Sequence, residues 1–327
     1  MSTFIYISNS GEDKIAICSF APETGALTPS GSTKAPGNPA QLVMTPDRNT
    51  LIVGLRASYQ IAAFRRDAAS GGLTPHATLS LDSDPDCLCV DSSGRFLFST
   101  YPNAEILAIH AIDVFGKFIT LPVAWLEMET YISAVRVDRS NRFVFLLQPD
   151  ARQIAQCLFD EQNGTLRPND MPFVNCEQPP YHLCFHPFEP LAYVSDEAGN
   201  IAAYRLHLRA GRLELTQELT LFPAGFPGLG GSRIVIAPNG RLLFSLNRER
   251  GEIACVMIDS ATNQLSAGSR LAIPALRDLA VAPSGKALFA LSERGEFSVC
   301  AIDFEHGDLR VLESLPVGKS PRACLIV

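Results

Sequence analysis

A Gly or Asn two residues ahead of a Leu or Phe recurs along the whole chain: Gly25/Leu27, Gly71/Leu73, Gly116/Phe118, Gly164/Leu166, Gly211/Leu213, Asn263/Leu265 and Gly307/Leu309. The steps between the apolar members are 46, 45, 48, 47, 52 and 44 residues. A second marker keeps the same phase: Thr45-Pro46-Asp47, Asp91-Ser92-Ser93-Gly94-Arg95, Asp138-Arg139-Ser140-Asn141-Arg142, His186-Pro187, Ala237-Pro238-Asn239-Gly240-Arg241 and Ala282-Pro283-Ser284-Gly285-Lys286. Between the markers stand short β-favouring apolar runs bounded by Gly, Pro, Asn and Asp, which read as strands of a meander. A period of roughly 40–50 residues with four strands per copy is that of a β-propeller blade. A sandwich would space its turns regularly but would not copy their chemistry.

The stretch Pro180 to Leu213 shows one unit: His182–Phe185, Leu191–Ser195 and Ile201–Leu206 are its first three strands, and Gly211-Arg212-Leu213 opens the fourth. The chain enters in the middle of a unit. Phe4–Ser8 matches a second strand with no first strand before it, while Ser320 to Val327 matches a first strand with nothing after it. Pairing the two closes the ring and removes its open edges. The expectation is an all-β, seven-bladed propeller of four-stranded antiparallel blades, forming one domain over residues 1–327. In the third unit, Gly116/Phe118 is expected to open the fourth strand. The one long step holds the Gly/Pro-rich insertion Leu221 to Gly231, which reads either as a binding or lid loop or as a surface excursion.

Length alone suggests two domains, but stacked blades share one ring, so the repeat takes precedence. The net charge of −7 argues against nucleic acid or an anionic membrane surface as partner. It leaves room for a small anionic metabolite held by local arginines. No long uncharged apolar run occurs, and Met1 to Ile7 has no basic region before Gly11-Glu12-Asp13. Most of the nine cysteines sit inside apolar runs, as in a reduced, cytoplasmic protein without disulfides. The six histidines and the single Cys87-Leu88-Cys89 pair have no metal-ligand spacing. There is no Gly-rich phosphate loop and no Gly-x-Ser-x-Gly elbow. No metal and no cofactor are expected.

In a propeller the first strand of each blade lines a central channel. The residues that open these strands are Ala40-Gln41, Asp86-Cys87, Ser133-Ala134, Tyr181-His182, Ser232-Arg233, Arg277-Asp278 and Arg322-Ala323. The second strands end at Asn9, Arg56, Tyr101, Gln148, Asp196-Glu197, Asn247-Arg248 and Ser292-Glu293. These two sets lie at the same end of antiparallel pairs, so they converge on one mouth. Each member also has a plainer reading: His182 as a hydrogen-bonded strand histidine, Glu197 as a solvated turn residue, Arg248 as part of the charged run Asn247 to Arg250. His186 stands at a turn and reads as structural.

Pro180-Tyr181-His182-Leu183-Cys184-Phe185-His186-Pro187, Leu191 to Glu197, Thr220 to Phe226 and Ala237 to Arg248 together resemble the seven-bladed propeller lactonases, the family of bacterial-type 6-phosphogluconolactonase and fungal carboxy-muconate cyclase. The resemblance spans the chain. Of the family's polar set, His182, Glu197 and Arg248 match. Tyr181 replaces an arginine, Ser133 a histidine and Cys87 another histidine, while Arg277 and Arg322 keep later Pro-Arg positions. The resemblance implies a metal-independent lactone hydrolase or lactonising enzyme acting on a small anionic lactone, a sugar phosphate or carboxylate, as a monomer or weak homodimer. Glu197, His182 and Arg248 would be catalytic: Glu197 or His182 as base, Arg248 as oxyanion stabiliser or carboxylate clamp. Tyr181, Arg277, Asp278, Arg322, Ser133 and Arg233 would bind substrate. The alternative is a propeller that has lost part of that set and binds a metabolite or protein partner without turnover.

Overall fold

The computed structural model describes residues 3–222 and 232–327. Its strands form seven four-stranded antiparallel sheets. In chain order the strands are Thr3–Asn9, Lys14–Ala21 and Ala26–Lys34 (β1–β3); Pro39–Met44, Thr50–Leu55, Gln60–Arg66 and Leu73–Ser80 (β4–β7); Leu88–Val90, Phe96–Tyr101, Ile106–Ala111 and Ala124–Glu127 (β8–β11). Then come Ala134–Val137, Phe143–Gln148, Gln153–Asp160 and Thr165–Asn175 (β12–β15); Pro180–Phe185, Leu191–Asp196, Ile201–His207 and Arg212–Leu219 (β16–β19). Arg233–Ile236, Leu242–Asn247, Glu252–Ile258 and Leu265–Ala272 (β20–β23) follow, and Leu276–Val281, Ala287–Ser292, Glu296–Asp303, Asp308–Pro316 and Pro321–Ile326 (β24–β28) complete the chain. Six blades are consecutive meanders; the first has the order β28-β1-β2-β3.

Ring closure is therefore the pairing of Ile5 with Ile326, Tyr6 with Leu325, Ile7 with Cys324 and Ser8 with Ala323. Phe4 and Val327 add reciprocal main-chain bonds of 3.1 and 2.9 Å. The Ser8 hydroxyl accepts from the Ala323 N–H and donates to the Ala40 carbonyl, tying the closing strand to the second blade.

Among the described residues no single core fills the molecule. The buried apolar residues fall into seven clusters, each between two neighbouring blades. That explains why the second strands are continuous apolar runs such as Phe143-Val144-Phe145-Leu146-Leu147: both faces of a blade are covered, so every residue of β13 is buried. Outer strands have solvent on one edge, and β15 accordingly mixes exposed and half-buried positions.

The Gly marker has a packing cause. Gly71, Gly164 and Gly211 have φ of +72°, +71° and +62°, and a Cβ there would overlap the rings of Phe4, Phe96 and Phe143 at the start of the preceding blade's second strand. Gly211→Ala is expected to lower unfolding free energy by about 3 kcal/mol, adding the left-handed backbone cost to overpacking. A urea midpoint unchanged from the parent protein would contradict this.

The second marker caps the turn between first and second strands. Asp91 and Asp138 each accept main-chain N–H groups, from Ser93 and Phe96 and from Ser140 and Phe143. His186 does the same through Nδ1, accepting from Phe188 and Glu189 at 3.1 and 2.8 Å, and donates from Nε2 to the Gly240 carbonyl. The nine cysteines are all free.

One expectation fails. Phe118 makes only an isolated bridge to Ile112, and the outer strand of the third blade starts at Ala124. Pro122 lies in the bent stretch 120–123 and has no N–H for a ladder, so pairing resumes after it. Of the Leu221–Gly231 insertion, Leu221 and Phe222 are buried against the fifth and sixth blades; residues 223–231, and with them the binding or lid reading, lie outside the described residues.

Candidate functional site

The inner strands β4, β8, β12, β16, β20, β24 and β28 surround the channel, each next to its successor. At the end where they begin, a cavity of about 260 Å³ is lined by Ala40, Gln41, Arg56, Asp86, Tyr131, Ser133, Tyr181, His182, Ser232, Arg233, Arg248, Arg277, Asp278, Arg322 and Ala323. Eight of the nine candidate residues are in this wall. Glu197, in the turn after β17, is not; its charge nevertheless acts on Tyr181, as does that of Arg248. Glu197 and Arg248 thus approach Tyr181 at one mouth.

Five arginines and two carboxylates line the cavity of a protein whose net charge is −7. One side is balanced. Arg56 meets Asp84 at 2.5 Å and Asp86 at 3.3 Å, and the Tyr131 hydroxyl donates to Asp86 at 3.1 Å. Burial and the Asp86 charge push the Tyr131 phenol far up, so it stays protonated. Tyr181 is also raised, chiefly by burial and then by Glu197 and Asp86, with Arg248 opposing.

The other side carries an excess of positive charge. Glu293 bridges Arg248 at 2.6 Å and Arg277 at 3.1 Å. Partial burial would raise the Glu293 carboxyl, but those two bonds outweigh it and hold it below the usual value. Arg277 is lowered from the ordinary arginine value by burial and by the charges of Arg248 and Arg322, with Glu293 only partly offsetting them. Arg322 hydrogen-bonds Ser10, and its carbonyl accepts from Arg277. An anion placed beside Arg248, Arg277 and Arg322 would relieve this repulsion and could be gripped by planar guanidinium forks.

Two candidates are bonded to the scaffold. Ser133 donates to main-chain carbonyls, nearest that of Tyr181 at 3.0 Å, and so joins the starts of β12 and β16. Asp278 is 3% exposed; its Oδ1 accepts from Leu279 N–H and pairs with Arg233 at 2.8 Å, and its Oδ2 accepts from Cys324 N–H. It anchors Arg233 and the closing strand.

His182 is held on the channel wall by Arg136 of β12, whose Nη2 lies 2.5 Å from its Nε2. Burial, Arg136 and Arg233 keep its pKa well below the ordinary histidine value. Arg136 and Tyr131 are absent from the sequence-based set. Arg136 lies inside a strand rather than at its start, and Tyr131 lies in an irregular connection that no marker reaches. Glu293, present in the ring of strand ends, acts by pairing the arginines.

Depressed histidines have a measurable consequence. His110, 2% exposed, is lowered to about 4 by burial. The folded form therefore refuses protons that the unfolded chain takes up below about pH 6.5. The stability tied to this group is fully present above that pH and is lost as pH falls toward 4. The loss is on the order of 3 kcal/mol at pH 4, from about 1.4 kcal/mol per unit. Urea unfolding of the wild-type protein and of His110→Leu should diverge in pH dependence across this window; parallel curves would refute it.

A second cavity of about 390 Å³ lies over the fifth blade, lined by Glu177, Asp196, Asn200, Tyr204, Glu218 and Phe222 among others. It is larger but has no cationic side chain among the described residues of its wall, so the channel mouth is the better anion site.

The chain matches the family described as "Lactonase, 7-bladed beta-propeller" over residues 1–92 and 78–326. It is 26% identical to a 6-phosphogluconolactonase of Pectobacterium carotovorum subsp. carotovorum over 98% of this chain and 97% of that protein. The identity is again 26% with a 6-phosphogluconolactonase of Serratia proteamaculans, over 98% of each. Among solved structures, the periplasmic gluconolactonase of Pseudomonas aeruginosa superposes with a TM-score of 0.90 at 22% identity, covering 100% of this chain and 99% of that one.

Proposed function

The chain belongs to the seven-bladed β-propeller lactonase family, and from that membership we propose that it hydrolyses a small lactone bearing a phosphate or carboxylate, bound at the arginine-rich mouth. The observation that carries the reading is the Arg248, Arg277 and Arg322 cluster, two of whose members are bridged by Glu293. Relatives named 6-phosphogluconolactonase support the same substrate class.

In this reading Glu197 takes a proton from a water molecule as its oxygen attacks the lactone carbonyl carbon. Arg248 stabilises the negative charge that develops on the carbonyl oxygen. The ring C–O bond then breaks, and the proton returns to the leaving oxygen, giving an open hydroxy acid. Arg277 and Arg322 hold the anionic end of the substrate. Arg233 and Tyr181 shape the wall, with Ser133 and Asp278 fixing the strands that carry them.

A second reading is binding of the same anion without turnover. It is favoured by Tyr181 and Ser133, which stand where the family pattern carries arginine and histidine. One experiment separates the two. Hydrolysis of 6-phosphogluconolactone and of gluconolactone is followed by acid release at constant pH, with calorimetric binding of 6-phosphogluconate alongside. Turnover with at least about a tenfold kcat/KM preference for the phosphorylated lactone is expected, as one charge-assisted contact gives. Equal rates would defeat the anionic-substrate claim. Binding without turnover would establish the second reading, and neither binding nor turnover would reject both.

A further inference from the structure

Arg136 of β12 has no part in the roles above, yet it is bonded to a residue of the channel wall. Its Nε donates to the Leu183 carbonyl at 2.9 Å, its Nη1 to the Val135 carbonyl at 2.7 Å, and its Nη2 to His182 Nε2 at 2.5 Å. None of these acceptors is a carboxylate. A guanidinium has donors only, so Nε2 of His182 must be the acceptor. In a neutral imidazole the remaining nitrogen then carries the proton. That nitrogen, Nδ1, is buried and has no hydrogen-bond partner.

We propose that Arg136 is a positioning residue that locks His182 in the neutral, Nδ1-protonated tautomer, so that neither ring nitrogen is left free to accept a proton. The proposal rests on the reading of this mouth as the reactive site only for its consequence, which is that proton abstraction is left to Glu197. The tautomer itself follows from the contact.

The surroundings agree from every side. Arg136 faces His182 from β12, and Arg233 acts on it from β20. The carboxylate near Arg233, Asp278 of β24, is already paired with that arginine. The thiols around Arg136 do not supply an anion: burial raises Cys87, Cys89 to about 11 and Cys184 to about 12. An imidazolium would need Nε2–H directed at another donor, between two guanidinium groups. The neutral ring also leaves the mouth arginines as the cations that a substrate anion meets.

The test is nitrogen-15 NMR of histidine-labelled protein, with the His182 signals assigned by loss in His182→Gln. In the wild-type protein they are expected to show Nδ1–H and an unprotonated Nε2, unchanged from about pH 5 to about pH 8, where free histidine titrates. In Arg136→Leu the tautomer should mix and titration should move into that range. Arg136→Lys, which still donates, should restore the Nδ1–H form. An Nε2–H signal in the wild-type protein overturns the proposal without any variant. So does an unchanged tautomer in an Arg136→Leu protein that melts cooperatively. The readout does not depend on turnover, so a correct tautomer in a protein that hydrolyses no lactone would reject the enzyme reading and leave this one standing. Where turnover is present, Arg136→Leu should add an acid limb to the rate profile that the wild-type protein lacks.

Discussion

A chain ending at Ser320 is expected to lose its cooperative unfolding transition. The missing segment is β28, the innermost strand of the first blade, which pairs with β1 from Asn9 to Ile5. Ala323 and Cys324 are 7% and 2% exposed, and each packs into a different inter-blade cluster. Truncation would leave β1 with an open edge and the two flanking clusters open to the channel. It would also leave Asp278 without the Cys324 N–H and Ser8 without the Ala323 N–H. Several ladder bonds at about 1 kcal/mol each and several buried side chains at about 2 kcal/mol each approach the whole stability of a typical domain, about 5–15 kcal/mol. Thermal unfolding by circular dichroism should become broad, with aggregation through the open edge. A truncated protein that melts at the parent temperature in one sharp step would show that the closing pair does not hold the ring.

Glu197→Gln is expected to lower kcat by about 10²–10⁴-fold, the contribution of a positioned general base, with KM little changed. The amide keeps the shape and some hydrogen bonding of the carboxylate but accepts no proton at neutral pH. Arg248→Ala should cost about 2–4 kcal/mol of transition-state stabilisation if it meets the developing oxyanion, again mainly in kcat. A loss confined to KM would instead place Arg248 on the anionic end of the substrate. Melting temperatures are the control. Full turnover in Glu197→Gln would remove Glu197 from the mechanism.

The ring was legible because its constraints are local and copied. Each blade needs a glycine where the turn presses on the neighbouring aromatic, as at Gly71, Gly164 and Gly211, and an acceptor that caps the turn between first and second strands, as at Asp91 and Asp138. The mouth was legible because antiparallel pairing fixes which strand ends coincide, bringing Tyr181 close to both Glu197 and Arg248. What a sequence pattern cannot carry is reach. Arg136 sits three residues into its segment from Ser133, yet its long side chain crosses to His182 on the next blade. Nor does the pattern show how fully a cation is balanced: Arg56 is met by Asp84 and Asp86, while Arg277 shares Glu293 with Arg248 and stays crowded by Arg248 and Arg322. The outer strand of the third blade escaped because one proline displaced it.

The pairing of β1 with β28 also orders events during synthesis. The partners Ser8 and Ala323 are separated by nearly the entire chain. At about 5–20 residues per second, β1 must wait roughly a quarter of a minute to a minute before β28 emerges from the ribosome. Blades two to seven can each complete in turn as they appear, whereas the first blade to be started is the last to be finished. Through that interval the nascent chain presents an unpaired β1 edge, the interval in which a chaperone has most to protect.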